Sequence, residues 1–268
     1  MNSKNLTQQE IEKLERKYLN KYYHFLKFAE DEMLEGFKTK DDIKDDWWGL
    51  YSSQTGGKGI SLFSTGAERI VYSLLNGKGI GQPNSSPVGS DLFFEVKDAY
   101  IHIDLKTVGA SLKGKTNIGD YTSSIFVGEN QNSYEGYMEV RSKGEIIKKK
   151  YKPQLPTYYN KGKENQKICL SYFATILYDI DTLDTLVMCI VCMPNGELEP
   201  IYKTDVLSAG KNDGKARFRF TNTSKFRLLD NNDYRVKVIV FKDDMDETYR
   251  NKLEFFEKIH SKQTVNDN

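Results

Sequence analysis

Cysteine, histidine and tryptophan are scarce in this 268-residue chain, at three, three and two copies. Cys169, Cys189 and Cys192 make no disulfide framework and suit a reducing compartment. Cys189 and Cys192 form a C-x-x-C, but they lie in the apolar run 186–193, which reads as a buried strand. Three residues apart on a strand, they face opposite ways, and three histidines supply no partner segment for zinc. No apolar run reaches the length of a membrane span, and residues 1–6 hold no signal-peptide core. The expectation is a cytoplasmic protein with no membrane partner. Charge of one sign is also missing: the formal net charge is +1, so bulk electrostatics announce no nucleic-acid partner. Nor is there a phosphate loop, because Lys58 and Lys78 in the glycine-rich stretches 55–60 and 76–81 are each followed by glycine. Those stretches read as loops, the second extended by Gln82, Asn84, Ser85 and Ser86.

What is present is polar but foldable. Charged residues make up 29% and aromatics 12%, and the aromatics argue for a packed core over disorder. Residues 7 to about 37 predict one long helix. Thr7 and Glu10 form a capping box, and Ile11, Leu14, Tyr18, Tyr22, Phe25, Leu26, Ala29 and Met33 line one face. Strands are expected at 168–178, 186–193, 216–222 and 234–241, with an Asn195-Gly196 turn. A closing helix is expected over 246 to about 260, followed by a frayed tail.

The chemistry concentrates at 90–107. Both arms of this stretch alternate and are rich in β-formers, with Lys97-Asp98 between them as a two-residue turn. Val96 then pairs with Ala99, and the register brings Asp91 opposite Asp104. Lys106 falls on the Asp104 face, while Ile101, Ile103 and Leu105 take the other. Two facing carboxylates repel in a purely structural sheet. A divalent ion between them reverses that sign, and aspartate oxygens suit Mg2+. With a lysine beside the metal, the set reads as metal-assisted phosphodiester hydrolysis.

Asp91, Asp104, Leu105 and Lys106 resemble the PD-(D/E)xK nuclease superfamily, type II restriction endonucleases in particular. Ser90 replaces the usual proline before the first acid. The likeness covers roughly residues 60–130. It implies a mixed α/β fold: a central mixed sheet flanked by helices, a restriction-endonuclease-like core, and an added β-rich portion. The whole is expected to be a single nuclease domain over 1–268. Residues 1–50 would be a helical extension, 60–135 the catalytic core, 141–167 a basic DNA-contacting segment, and 168–260 the β-rich remainder with the closing helix. The implied activity is a Mg2+-dependent, site-specific endonuclease acting on double-stranded DNA and leaving 5′-phosphate ends. Asp91 and Asp104 would hold the metal, with the Leu105 carbonyl as an extra ligand, and Lys106 would assist the water. A homodimer would match a palindromic site. A cognate DNA methyltransferase is expected in the cell, though not as a stable partner.

Glu68 admits two readings. It caps a helix over 63–75 with Thr65, or it is the helix glutamate that many such nucleases direct to the metal. His102 is either a satisfied structural histidine or a DNA contact. Segment 141–167 carries nine basic residues against two acids, with Tyr151, Tyr158 and Tyr159 interleaved. It fits a phosphate backbone, with Lys148, Lys149 and Lys150 at its centre, or else a solvated loop. After the hairpin, Lys113 and Lys115, then Asn130, Gln131 and Asn132, are candidate DNA contacts. The rival readings are a repair or junction-resolving nuclease of the same fold, and a non-catalytic DNA-binding protein with a degenerate core.

Overall fold

The computed structural model describes residues 5–42, 63–77, 81–84, 90–112, 118–128, 133–134, 137–142, 144–149, 152–202, 207–209, 212–218, 220 and 233–267. The chain opens with α1 (Gln8–Phe28) and α2 (Glu30–Asp42), and α3 (Phe63–Gly77) follows. The first strands are β1 (Gln82–Asn84), β2 (Leu92–Glu95) and β3 (Ala99–Ala110). A 3-10 turn (Ile118–Ser123) leads to β4 (Ile125–Gly128), β5 (Ser133–Tyr134), β6 (Met138–Ser142) and β7 (Glu145–Lys149). Next are β8 (Lys152–Pro153), β9 (Tyr158–Tyr159), β10 (Lys167–Asp179) and β11 (Thr185–Met193). Short α4 (Glu199–Tyr202), β12 (Leu207–Ala209), β13 (Asn212–Phe218), β14 (Val236–Phe241) and α5 (Glu247–Asp267) complete the chain.

The main sheet has the order β1-β2-β3-β10-β11-β14, with β9 added against β10. It is mixed: β3 and β10 run parallel, and the other pairs are antiparallel. A second sheet has the order β4-β13-β12-β6-β7, and the segment 168–260, expected to be a β-rich remainder, supplies β10, β11 and β14 to the main sheet. The two faces of the main sheet feed two cores. Ile101, Ile103, Leu105, Tyr172, Ala174, Ile190 and Cys192 pack with α1, α2 and α3. Phe173, Leu177, Cys189, Val191 and Val238 pack with α5, the 3-10 turn and residues of the second sheet. Cys189 and Cys192 thus fall in different cores, as their strand spacing requires, and all three cysteines are free and buried.

The Thr7 capping box forms, with the Thr7 N–H donating to Glu10 Oε2 at 2.7 Å. The single helix expected to residue 37 is instead two, broken at Ala29, whose φ of −100° and ψ of 20° leave the helical region. The apolar stripe continues across the break, since Tyr18, Tyr22, Leu26, Ala29 and Met33 are all buried. Three further expectations need correction. Asn76 and Gly77 close α3, and Gln82–Asn84 pairs with β2 as an edge strand, so much of the second glycine-rich stretch is ordered. The strand expected at 216–222 is β13, which begins at Asn212. The tail after residue 260 is helical through Asp267, held by Gln263, whose side chain bonds both backbone groups of Val238.

Candidate active site

The hairpin has the expected register. Leu92 faces Ile103, Phe93 faces His102, and Glu95 faces Tyr100, while the Val96 N–H donates to Ala99 O at 2.9 Å. Asp98 in the turn is fastened to α1 by Tyr18 and by Lys17, whose ammonium lies 2.5 Å from it.

β2 begins at Leu92, so Asp91 lies one residue before the ladder. β3 runs on past that point with no β2 partner. The Asp91 carboxylate takes the place of the missing strand, accepting the Leu105 N–H on Oδ2 at 3.1 Å. In a strand the N–H and C=O of one residue leave by the same edge, so the Leu105 carbonyl shares this side. The Asp91 and Asp104 carboxyls come close enough for each to shift the other's ionisation, and Lys106 is ion-paired with Asp104. The structure therefore brings Asp91, Asp104, Leu105 and Lys106 together.

The two acids are electrostatically unequal. Asp104 is 7% exposed. Burial, reinforced by the Asp91 carboxylate, pushes its carboxyl up to about 8 despite Lys106. Asp91 is exposed as a residue, with its carboxylate turned inward. Burial of that group works against ionisation. The neighbouring Asp104 and Tyr72, the Leu105 N–H and the Lys106 charge outweigh it and hold Asp91 below the ordinary carboxylate range. A cation or a shared proton relieves the repulsion between two such carboxyls.

The helix settles the cap question for Glu68. α3 begins at Phe63, so Thr65 is inside the helix and caps nothing. Glu68 instead lies 3.4 Å from the hydroxyl of Tyr72, one turn on, and burial, with the negative charge of Asp91, pushes that phenol up. Tyr72 was not singled out in the sequence. Its i+4 spacing from Glu68 on the face turned to the hairpin was the available signal.

His102 is the structural histidine: it is 3% exposed, its Nε2 meets the Tyr159 hydroxyl at 2.9 Å, and burial lowers it to about 4. Tyr158 is likewise internal to the fold, with its hydroxyl accepting the Leu6 N–H. Lys167 pairs with Glu95 at 2.6 Å and donates to Val96 O. It stands six residues before Phe173, the register partner of Asp104, which is about 20 Å along the strand. Lys167 is therefore set apart from the hairpin acids. Lys148 is exposed over the Tyr137 ring at 4.6 Å, and Lys149 is 9% exposed on the alternate side of β7. Lys113, Lys115, Asn130, Gln131, Asn132 and Lys150 lie outside the described residues.

The model of the N-terminal domain of the type II restriction enzyme MwoI matches residues 7–182. The chain belongs to the MwoI family of type II restriction enzymes. The MwoI central-domain model matches residues 185–241, and β10 and β11 join the two matched regions within one sheet. The family makes the chain a site-specific deoxyribonuclease, which selects the restriction reading over a junction nuclease or a degenerate binder. No curated protein matches the chain. Among solved structures, restriction endonuclease BglI bound to its DNA recognition sequence is similar at a TM-score of 0.60 and 15% identity, covering 86% of this chain and 90% of that one. Tetrameric SfiI bound to cognate DNA is similar at 0.55 and 11%, covering 91% and 90%. At these identities the likeness is one of fold, and it matches the mixed sheet and flanking helices expected above.

Proposed function

We propose that this MwoI-family chain cuts both strands of duplex DNA at a specific sequence by Mg2+-assisted hydrolysis at Asp91, Asp104 and Lys106. The observation that carries the reading is the meeting of two carboxyls with a lysine at an open strand edge, where one acid is buried and disfavoured as an anion. The donor set suits the ion: Mg2+ binds through one or two carboxylates and keeps several waters. Asp91 and Asp104 would hold the ion, with the Leu105 carbonyl on the same edge. When bound, Mg2+ would supply Lewis-acid charge to the phosphate and acidify a coordinated water.

The chain's own residues do the rest. Lys106, held by Asp104, presents an ammonium that orients the attacking water and offsets charge on the phosphate. Asp91 is kept ionised by its hydrogen bonds. Glu68 and Tyr72 support it from α3. Attack in line with the 3′ oxygen leaves a 5′ phosphate. A homodimer places one such site on each strand of a palindrome. A cognate methyltransferase would protect the host DNA, and both would act in the cytoplasm. No helix among the described residues is long and apolar enough to cross a membrane.

The test is digestion of a sequenced, unmethylated plasmid by the full chain, with Mg2+ or with EDTA, followed by end analysis. Discrete fragments bearing 5′ phosphates are expected only with Mg2+. Cleavage that persists in EDTA, or a sequence-independent smear, would sink the reading.

Lys148 is exposed at the centre of the basic segment. Lys148→Gln is expected to weaken binding to all duplexes alike and to flatten the log–log salt dependence by about one unit. A salt slope equal to that of the parent protein removes Lys148 from the interface.

A further inference from the structure

A hollow of about 560 Å3 lies between α1 and the turn of the hairpin. Lysines from three elements line it: Lys17 and Lys21 on α1, Lys97 at the turn, and Lys167 at the start of β10. The Tyr18 ring lies among them, its centroid 4.8 Å from the Lys17 ammonium and 6.0 Å from that of Lys21. Lys17 and Lys21 stand one helical turn apart, where like charges oppose each other. Burial, with the Lys17 charge alongside, pulls the Lys21 ammonium below the ordinary lysine range, and Asp98 offsets this only in part. Asp98 takes Lys17 at 2.5 Å, and Glu95 takes Lys167 at 2.6 Å. Lys97 is exposed and forms no ion pair with a described residue. Four ammonium groups therefore meet two carboxylates in this cluster.

The walls are fixed before any ligand arrives. Tyr18 and Lys17 tie Asp98 to α1, and Lys167 also donates to Val96 O at 2.9 Å. Gly81 closes one side so tightly that a Cβ there would meet Glu95 O and Val96 Cγ1 at 2.9 Å each. Side chains already held in place give up less freedom on binding. The catalytic acids are elsewhere. Lys167 is six residues from Phe173, the register partner of Asp104, or about 20 Å along the strand.

We propose that this hollow is a second anion site, which takes phosphate groups either of the DNA flanking the cleaved site or of a free polyphosphate. Ammonium groups bind phosphate as point charges, and several converge here. A separation of about 20 Å is roughly six base pairs of duplex rise, so a DNA contact at the hollow requires flanking sequence.

The experiment compares the parent chain, Lys21→Gln/Lys97→Gln, Lys97→Glu, and a control pair, Lys252→Gln/Lys262→Gln, at exposed positions of α5. Inorganic pyrophosphate is titrated into each metal-free protein by calorimetry. Duplexes carrying the mapped cut site with about three or about twenty flanking base pairs on each side are bound over a range of salt and then cut, and melting temperatures are recorded. The double variant is expected to melt within about 2 °C of the parent and to bind and cut the shorter duplex normally. On the longer duplex it should bind about tenfold or more weaker, with a log–log salt slope flatter by about two units. Lys97→Glu should weaken the longer duplex as well, and it keeps the test decisive should the double variant fold poorly. A loss confined to the longer duplex assigns the site to flanking DNA. Loss of pyrophosphate binding with both duplexes unchanged assigns it to a free polyphosphate. Three results overturn the site: parent and variants that match on both duplexes and on pyrophosphate, equal losses on the short and long duplexes, or a control pair that loses as much as the hollow variants.

Discussion

Asp104→Asn is expected to abolish cleavage, lowering the single-turnover rate by at least about 10²–10³-fold, while the protein stays folded. The substitution keeps the size and much of the hydrogen bonding of the side chain but removes its capacity to carry charge. Asp104 sits where that charge is hardest to hold, buried against Asp91, and Lys106 compensates it only in part. Stability should therefore change little in the metal-free protein. The variant loses the Lys106 ion pair but relieves an apposition of two acids that a sheet alone would not favour. A change within about 1 kcal/mol is expected by urea denaturation in EDTA. Lys106→Ala should lose activity on a similar scale, in the range of about 10²–10⁴-fold expected of a group that assists the attacking water. An Asp104→Asn enzyme that still cuts at near parental rate would remove the proposed centre.

The parts of this site that were legible share one physical cause. A two-residue turn between alternating arms leaves a single register, and a slip of one residue would turn Ile101, Ile103 and Leu105 out of the core. The strands at 168–178, 186–193 and 234–241 were legible because both faces of the sheet are buried, which demands long apolar runs. What was hidden depended on contacts distant in sequence or on geometry without a residue signature. Ala29 breaks the first helix with neither glycine nor proline, and the apolar stripe runs through it undisturbed, so periodicity shows nothing. Thr65 has capping chemistry, but residues before it join the helix, and tertiary packing overrides the local preference. Lys167 reads as one more phosphate ligand until the hairpin folds Glu95 onto it. Asp91 stands outside the ladder because β2 begins only at Leu92, a boundary that no residue type announces.

The deepest hidden contact supports a prediction opposite in kind. Arg235→Met is expected to destabilise the fold by about 3–5 kcal/mol without touching the chemistry. Arg235 is 0% exposed, and its Nη2 lies 2.7 Å from Glu15 Oε2 on α1, itself 1% exposed. Glu15 Oε1 accepts the Asn195 N–H at 3.0 Å, and the Glu15 carbonyl accepts the Tyr172 hydroxyl at 2.9 Å. The pair thus joins the first helix to β10 and to both chain segments at one end of the β11–β14 ladder. Burial raises the Glu15 carboxyl above its ordinary value even with Arg235 alongside to lower it. Without the guanidinium that rise grows. A carboxyl whose folded-state value is raised costs stability above its unfolded value, and the cost is relieved as pH falls through the raised value. The Arg235→Met deficit should therefore be larger at pH 8 than at pH 5. Adding Glu15→Met removes the stranded charge and should recover most of the loss, with a coupling of about 2 kcal/mol or more in the double-mutant cycle. Urea denaturation of the four proteins at both pH values checks all three statements. A single-variant deficit below about 1 kcal/mol, or one that grows as pH falls, would show that the buried pair does not hold α1 against the sheet. Per folded molecule, the Arg235→Met enzyme should still cut at the parental rate, which separates the support of the fold from the site that Asp104 occupies.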